Sequence, residues 1–304
     1  MSAPRVAAIV LSYEGRQLTL AALPSLLGQN YPACDVLVVD NGSTDGTAEA
    51  ITAAFPAVTT LRTEVNLGPS GGATLGMRWA MARGYDYLLI LNNDIEVAPD
   101  MVAELVKVAE SDPSIGIVGP KCYYFGERDK LWSVGGWMGF REAVTKDRAR
   151  SERDRGQWDR DEEVDFINGC AMLVRREVVA AIGYWDPLYE LCFEDADFCW
   201  RALERGYRCY FAHRAKLWHK VSVTTGGYKP GKNFHSARST AIFIRRYARP
   251  WQKALAVAII LLAMPLAFGR ELTRGNQRAV TAKLRGYRAG FSVELPKPPR
   301  YDEE

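Results

Sequence analysis

Apolar residues in the first hundred positions come in short unbroken runs rather than in strict alternation. The clearest are Val6-Ala7-Ala8-Ile9-Val10-Leu11, the Val36-Leu37-Val38-Val39 stretch between Asp35 and Asp40, and Tyr87-Leu88-Leu89-Ile90-Leu91. Continuous runs of this kind mark strands buried on both faces, as in a parallel sheet. Between them apolar positions recur at helical spacing over about residues 18–27, 73–83 and 100–110. This strand-helix-strand-helix order predicts right-handed crossovers and an α/β, Rossmann-like, mostly parallel sheet flanked by helices, with ligands outside the carboxyl ends of the strands.

Further on the pattern breaks and resumes. A short strand is expected at Ile115-Gly116-Ile117-Val118, then a glycine-aromatic stretch over residues 132–140. Residues 141–163 mix both charges with almost no apolar residue, which predicts a mobile loop, either closing over a ligand or merely solvated. Strand pattern returns over 164–174, interrupted by Asn168-Gly169, and again over 208–212 and Leu217-Trp218-His219. A helix is expected over 235–247, and 254–268 is an uninterrupted apolar run of fifteen residues. As a helix that run reaches about 22 Å, short of the ~30 Å hydrocarbon core of a bilayer, so surface association or shallow insertion is expected, with packing on this domain or a second subunit as the alternative.

Charge sharpens the division. The chain of 304 residues carries a net +3, yet residues 241–304 hold 12 Lys/Arg against 5 Asp/Glu, leaving −4 for residues 1–240. The expected organisation is a catalytic domain over 1–240 and a basic, apolar, helical membrane-associating region over 241–304. The absence of a chain-wide basic stripe with interleaved aromatics argues against a nucleic-acid partner. The six cysteines have no CxxC spacing and sit mostly in apolar segments, as in a reduced cytosolic protein without a zinc site. The chain opens directly on a strand with no signal-peptide pattern.

Candidate chemistry gathers at strand ends and helix starts. Ser12, Tyr13 and Asp40 follow the first two strands, where an acid can accept hydrogen bonds from a ribose or base, or simply cap the next turn. The stretch Asn66-Leu67-Gly68-Pro69-Ser70-Gly71-Gly72 precedes a helix, and glycines there let backbone N–H groups approach a diphosphate. Asn92-Asn93-Asp94 ends the fourth strand, and a strand-terminal acid beside a diphosphate suits Mg²⁺ or Mn²⁺. Glu194, Asp195 and Asp197 crowd a helix start, where the dipole stabilises anions and one carboxylate is a candidate base. The plainer reading makes Asp195 an N-cap and Asp197–Arg201 an i,i+4 pair on a solvated face.

Taken in order, Leu11-Ser12-Tyr13, Val39-Asp40-Asn41-Gly42-Ser43-Thr44-Asp45-Gly46-Thr47, Asn66-x-Gly68-x-x-x-Gly72, Leu91-Asn92-Asn93-Asp94 and Phe193-Glu194-Asp195-x-Asp197-Phe198-x-x-Arg201 closely resemble the family 2 glycosyltransferases of GT-A fold, particularly their rhamnosyltransferase-like branch. The resemblance covers roughly residues 5–245. It implies inverting, metal-assisted transfer from a nucleotide-diphosphate sugar to an acceptor hydroxyl. Ser12, Tyr13, Glu14 and Asp40 would hold the nucleoside. Asn66, Gly68, Gly72 and Asn93 would complete the donor site, and Asp94 would bind Mg²⁺ or Mn²⁺ with His219. Asn92 stands where the family's metal motif usually has an acid. Asp195 is implied as the base with Glu194 second, Asn168-Gly169 as part of the acceptor-side floor, and residues 222–232 as a lid over the phosphates.

The function expected on this resemblance is transfer of L-rhamnose from dTDP-L-rhamnose to a cell-envelope glycan or lipid-linked acceptor, at the cytoplasmic face of a membrane and with homo-oligomerisation through the C-terminal helices as an option. The alternatives are a UDP-hexose or UDP-galactofuranose donor, or a non-catalytic sugar-nucleotide-binding partner in an envelope assembly.

Overall fold

The computed structural model describes residues 3–140, 144–221, 230–272, 274 and 276–299. Its first half runs β1 (Val6–Ser12), α1 (Arg16–Leu27), β2 (Cys34–Asp40), α2 (Thr47–Ala54), β3 (Thr59–Arg62), α3 (Gly68–Ala82), β4 (Tyr87–Asn92), β5 (Ile95–Val97) and α4 (Met101–Glu110). Then follow β6 (Ile115–Tyr124), β7 (Glu127–Ser133), β8 (Gly136–Met138), β9 (Thr145–Asp147), β10 (Glu162–Val164), β11 (Ala171–Arg175), α5 (Arg176–Ile182), α6 (Glu194–Glu204) and β12 (Arg208–His219). The chain closes with α7 (Pro230–Tyr247), α8 (Pro250–Leu272) and α9 (Gln277–Ser292).

Among the described residues one large sheet has the order β10-β12-β6-β11-β4-β1-β2-β3, with β5 and β7 paired to β12 and β6. β3, β2, β1 and β4 are parallel, as their apolar runs require; β11 enters antiparallel between β4 and β6. Each run feeds two cores by alternation. Val6, Ala8 and Val10 pack with Leu23 and Leu26 of α1 on one face, while Ala7 and Ile9 pack with Ala73 and Met77 of α3 on the other. Register places Ser12 opposite Asp40 and Leu11 opposite Asn92, so the polar ends of three strands form one edge.

Several elements differ from expectation. α3 begins at Gly68 rather than near residue 73, because Asn66 Oδ1 accepts the Gly68 N–H at 2.8 Å and Pro69 suits a first helical turn. The glycines are therefore helix, not loop. β6 is ten residues long instead of a short strand, since its second half pairs with the upper part of β12.

The charge-rich 141–163 segment is not, in its described part, the mobile loop its composition predicts. It folds back on the sheet because its acids meet a cation supplied from elsewhere. Lys121 of β6 is fully buried and donates to Asp154 at 3.0 Å and Asp159 at 2.6 Å, and Tyr123 donates to Asp154 at 2.5 Å. Arg148 pairs with Glu162 and lies over the Trp158 ring. Residues 141–143 fall outside the described residues, as do 222–229 of the expected lid; Pro230–Lys232 already belong to α7.

The C-terminal helices make a third layer. The expected 240/241 boundary falls inside α7, which buries Ile242, Phe243 and Ile244 against Tyr189 and Ala196. α9 lies unusually close to α7: a Cβ at Gly286 would sit 2.2 Å from the Phe234 carbonyl oxygen, and one at Gly290 would sit 2.3 Å from that of Arg238. α8 is longer than the fifteen-residue apolar run, because polar residues at both ends join the helix. Its 23 residues span about 34 Å, enough for a hydrocarbon core. The most apolar 18-residue window of this helix has a mean hydropathy of 1.8, and Leu261, Leu262 and Leu266 are 67%, 73% and 76% exposed.

Candidate active site

A cavity of about 680 Å³ opens at the carboxyl edge of the sheet. The strand ends supply Ser12, Tyr13, Asn92, Asn93 and Asp94; the start of α3 and the preceding loop supply Asn66, Gly68 and Gly72; α6 supplies Glu194 and Asp195. His219 completes one wall. Eleven of the thirteen residues anticipated above thus share one space.

The other two are placed differently. Asp40 is fully buried and does not line the cavity; its Oδ1 accepts the Ser43 N–H at 3.1 Å, and Oδ2 has no hydrogen-bond partner, with Arg62 at 3.8 Å. Glu14 is exposed, and its Oε1 accepts from Thr44 N–H and Oγ1, tying the end of β1 to the turn after β2. Next to Asp40, Asn41 does reach the cavity. Its Nδ2 donates to Asn66 and to the Gly68 carbonyl, and its Oδ1 accepts the Leu67 N–H. Gly72 packs closely here, since a Cβ would come 3.2 Å from the Asn41 amide.

Asp94 and His219 meet although they are far apart in sequence. Antiparallel pairing of β5 with β12 sets His219 opposite Ile95, and Asp94 Oδ1 lies 3.0 Å from His219 Nε2. Both are buried, and Trp132 stands edge-on to the imidazole at 4.6 Å. Two donors about 2.1 Å from an octahedral ion and at right angles to each other would be about 3.0 Å apart, so the pair fits adjacent ligands of Mg²⁺ or Mn²⁺. Among the described residues no cluster of three His, Cys, Asp or Glu could hold a metal alone. That suits an ion whose remaining ligands are substrate phosphates and water.

The carboxylates of α6 are set by an unusual turn. Cys192 and Phe193 both have positive φ, 68° and 71°, a region that bulky residues seldom occupy. Asp195 is not the N-cap; the helix begins at Glu194. Asp195 Oδ2 accepts the Gly169 N–H at 2.9 Å and Oδ1 the Ala196 N–H at 2.8 Å, which fixes the carboxylate in the cavity. Burial raises the Asp195 pKa against those two bonds. Burial and the charge of Asp195 push Glu194 up to about 8. Burial thus pushes both carboxyls toward their protonated forms, and Glu194 is pushed further by the neighbouring Asp195 charge.

Asp197 and Arg201 do pair, at 2.8 Å, but on a buried face. α7 covers them, with Tyr247 OH donating to Asp197 at 2.6 Å and Arg246 bridging Asp186 at 2.6 Å and Asp197 at 3.3 Å. Cavity residues not anticipated include Arg150, Trp185 and Glu190. Arg150 was hidden in the charge-rich run, and nothing in its local sequence distinguishes it from its neighbours.

A Rossmann-like sheet whose strand-end acid–histidine pair and helix-borne carboxylates line one cavity has the GT-A fold of glycosyltransferases. The chain belongs to glycosyl transferase family 2, whose profile matches residues 7–183. It is 26% identical over 243 residues to the N-acetylglucosaminyl-diphospho-decaprenol L-rhamnosyltransferase of Mycobacterium tuberculosis, covering 72% of this chain and 77% of that one. Among solved structures, a mannosyltransferase from Pyrobaculum calidifontis in complex with GDP-Man and Mn²⁺ superposes with a TM-score of 0.61 at 18% identity, over 100% of this chain and 89% of the other. GalNAc-T7 with UDP, GalNAc and Mn²⁺ gives 0.64 at 15% identity over 83% of this chain, which spans about half (49%) of that protein.

Proposed function

We propose that this protein is a metal-dependent inverting glycosyltransferase that moves L-rhamnose from dTDP-L-rhamnose to a hydroxyl of a lipid-linked or cell-envelope glycan. The mycobacterial relative named for an L-rhamnosyltransfer to a decaprenol-linked sugar supports this donor and acceptor class. The observation that carries the chemistry is Asp195, held by two backbone N–H groups in the same cavity as the Asp94–His219 pair. A fixed carboxylate within hydrogen-bond reach of an acceptor hydroxyl serves as general base on the face opposite the leaving group.

Gly68 and Gly72 at the start of α3 give the diphosphate a close approach to a positive helix end, and Ser12 and Tyr13 bind the nucleoside. Asp94 and His219 would hold Mg²⁺ or Mn²⁺, which offsets charge on the departing nucleoside diphosphate. The exposed apolar α8 and the +7 tail support a position at the inner face of a membrane.

The test is thermal stabilisation by nucleotide sugars with and without Mn²⁺, because a ligand of the native state raises the melting temperature. dTDP-L-rhamnose is expected to stabilise the wild type only with the metal, and Asp94→Asn to lose that increment while melting normally alone. Stabilisation by a UDP-sugar instead would replace the donor; metal-independent stabilisation of both proteins would overturn the metal assignment.

A further inference from the structure

A separate cavity has a volume of about 350 Å³. Phe193, Ile244, Ile259 and Ile260 give it a hydrocarbon lining, with Thr240 on one wall and Lys283 as its cation. Two features join the cavities. Phe193 lines the second and Glu194, the next residue, lines the first. The left-handed backbone at Cys192 and Phe193 accomplishes this division. α7 is a common wall: Lys232 and His235 face the catalytic space, and Thr240 and Ile244, further along the helix, face the apolar one. The far wall, Ile259 and Ile260, belongs to α8, the exposed helix of bilayer length.

We propose that this cavity holds the hydrocarbon chain of a prenyl-phosphate-linked acceptor, a reading that rests on the transferase assignment above. A chain entering from the bilayer along α8 passes between α7 and α8 with its carbon against carbon, and its phosphate meets Lys283. The attached sugar then lies on the Glu194 side of Phe193. Burial of the chain supplies acceptor affinity that does not depend on the identity of the sugar.

The full-length protein in detergent micelles is treated with a farnesyl-length prenyl monophosphate carrying a diazirine on its chain, photolysed, and mapped by mass spectrometry. Adducts are expected on Phe193, Ile244, Ile259 and Ile260. Thr240→Trp, which fills the space, is expected to cut them about tenfold, with labelling of outward Leu262 and Leu266 unchanged. If Thr240→Trp lowers the melting temperature markedly, Ile260→Trp on the exposed helix replaces it. Adducts confined to Leu262 and Leu266, or equal labelling in the filled variant, would overturn the proposal in favour of simple partitioning or contact between copies of α8. Nucleotide-sugar stabilisation is measured on the same samples. Its loss with cavity labelling retained indicts the transferase reading, and the reverse indicts the lipid site.

Discussion

Arg246 is the residue whose removal should cost most outside the cavity. Its side chain is 8% exposed and bridges Asp186 and Asp197, themselves 3% and 0% exposed, while Nη2 donates to the Pro296 carbonyl at 2.8 Å. Arg246→Met preserves the length of the stem and deletes the charge. Asp197 then keeps Arg201 and Tyr247, but the Asp186 oxygen loses its 2.6 Å cation. A buried charge deprived of its partner costs about 3–5 kcal/mol, against a total of about 5–15 kcal/mol for a typical domain. Urea unfolding followed by tryptophan fluorescence reads this directly. Arg246→Met with Asp186→Asn should recover about half or more of the loss, since the amide leaves no unpaired charge. Because Asp197 lies two residues from Asp195 on α6, turnover should fall further than donor affinity. A loss below about 1 kcal/mol, the value of an exposed ion pair, would refute the argument.

Asp195→Asn is expected to bind donor normally while transfer falls about 10²–10⁴-fold, and Glu194→Gln to retain far more activity, by radiolabelled-sugar transfer; the opposite ranking would exchange their roles. The unfolded chain releases the Glu194 proton near 4.5 and the folded one only near 8, so this residue's contribution is intact at acid pH and is lost as pH rises between those values. Glu194→Gln should therefore gain on the wild type across that window by at most about 1.4 kcal/mol per pH unit, measured by urea titration at pH 5 and pH 8; a constant difference would show an ordinary carboxyl. In flotation assays the full chain should rise with anionic vesicles and be only partly released by salt, because apolar burial is not screened; wholly soluble protein at low salt would remove the membrane from the account.

What the sequence made legible follows from the range of each interaction. β1, β2 and β4 were readable because unbroken apolar runs report burial on two faces, and the chemistry of their last residues follows from the topology. Asp197–Arg201 was readable as a pair but not as a buried one, since the covering residues Arg246 and Tyr247 arrive about fifty positions later. Lys121 illustrates the same limit. A lysine inside a strand and a run of acids after residue 150 each look solvent-bound until the fold joins them. The full length of α8 is not legible because hydrophobicity marks only its centre, whereas Trp251, Gln252 and Lys253 also belong to the helix. Arg150 carried no readable signal at all.

The close packing of α9 on α7 at Gly286 and Gly290 gives the protein a dimension as well as a shape. α8 is flanked in sequence by the two members of this tightly joined pair, and α7 is bonded to the helix that carries Asp195. On the membrane placement proposed for α8, Asp195 would be held at a set height above the lipid. The molecule would then work as a ruler. It should choose among acceptors by how far their terminal hydroxyl projects from the surface, and inserting a single alanine between α7 and α8 should shift that preferred reach rather than abolish transfer.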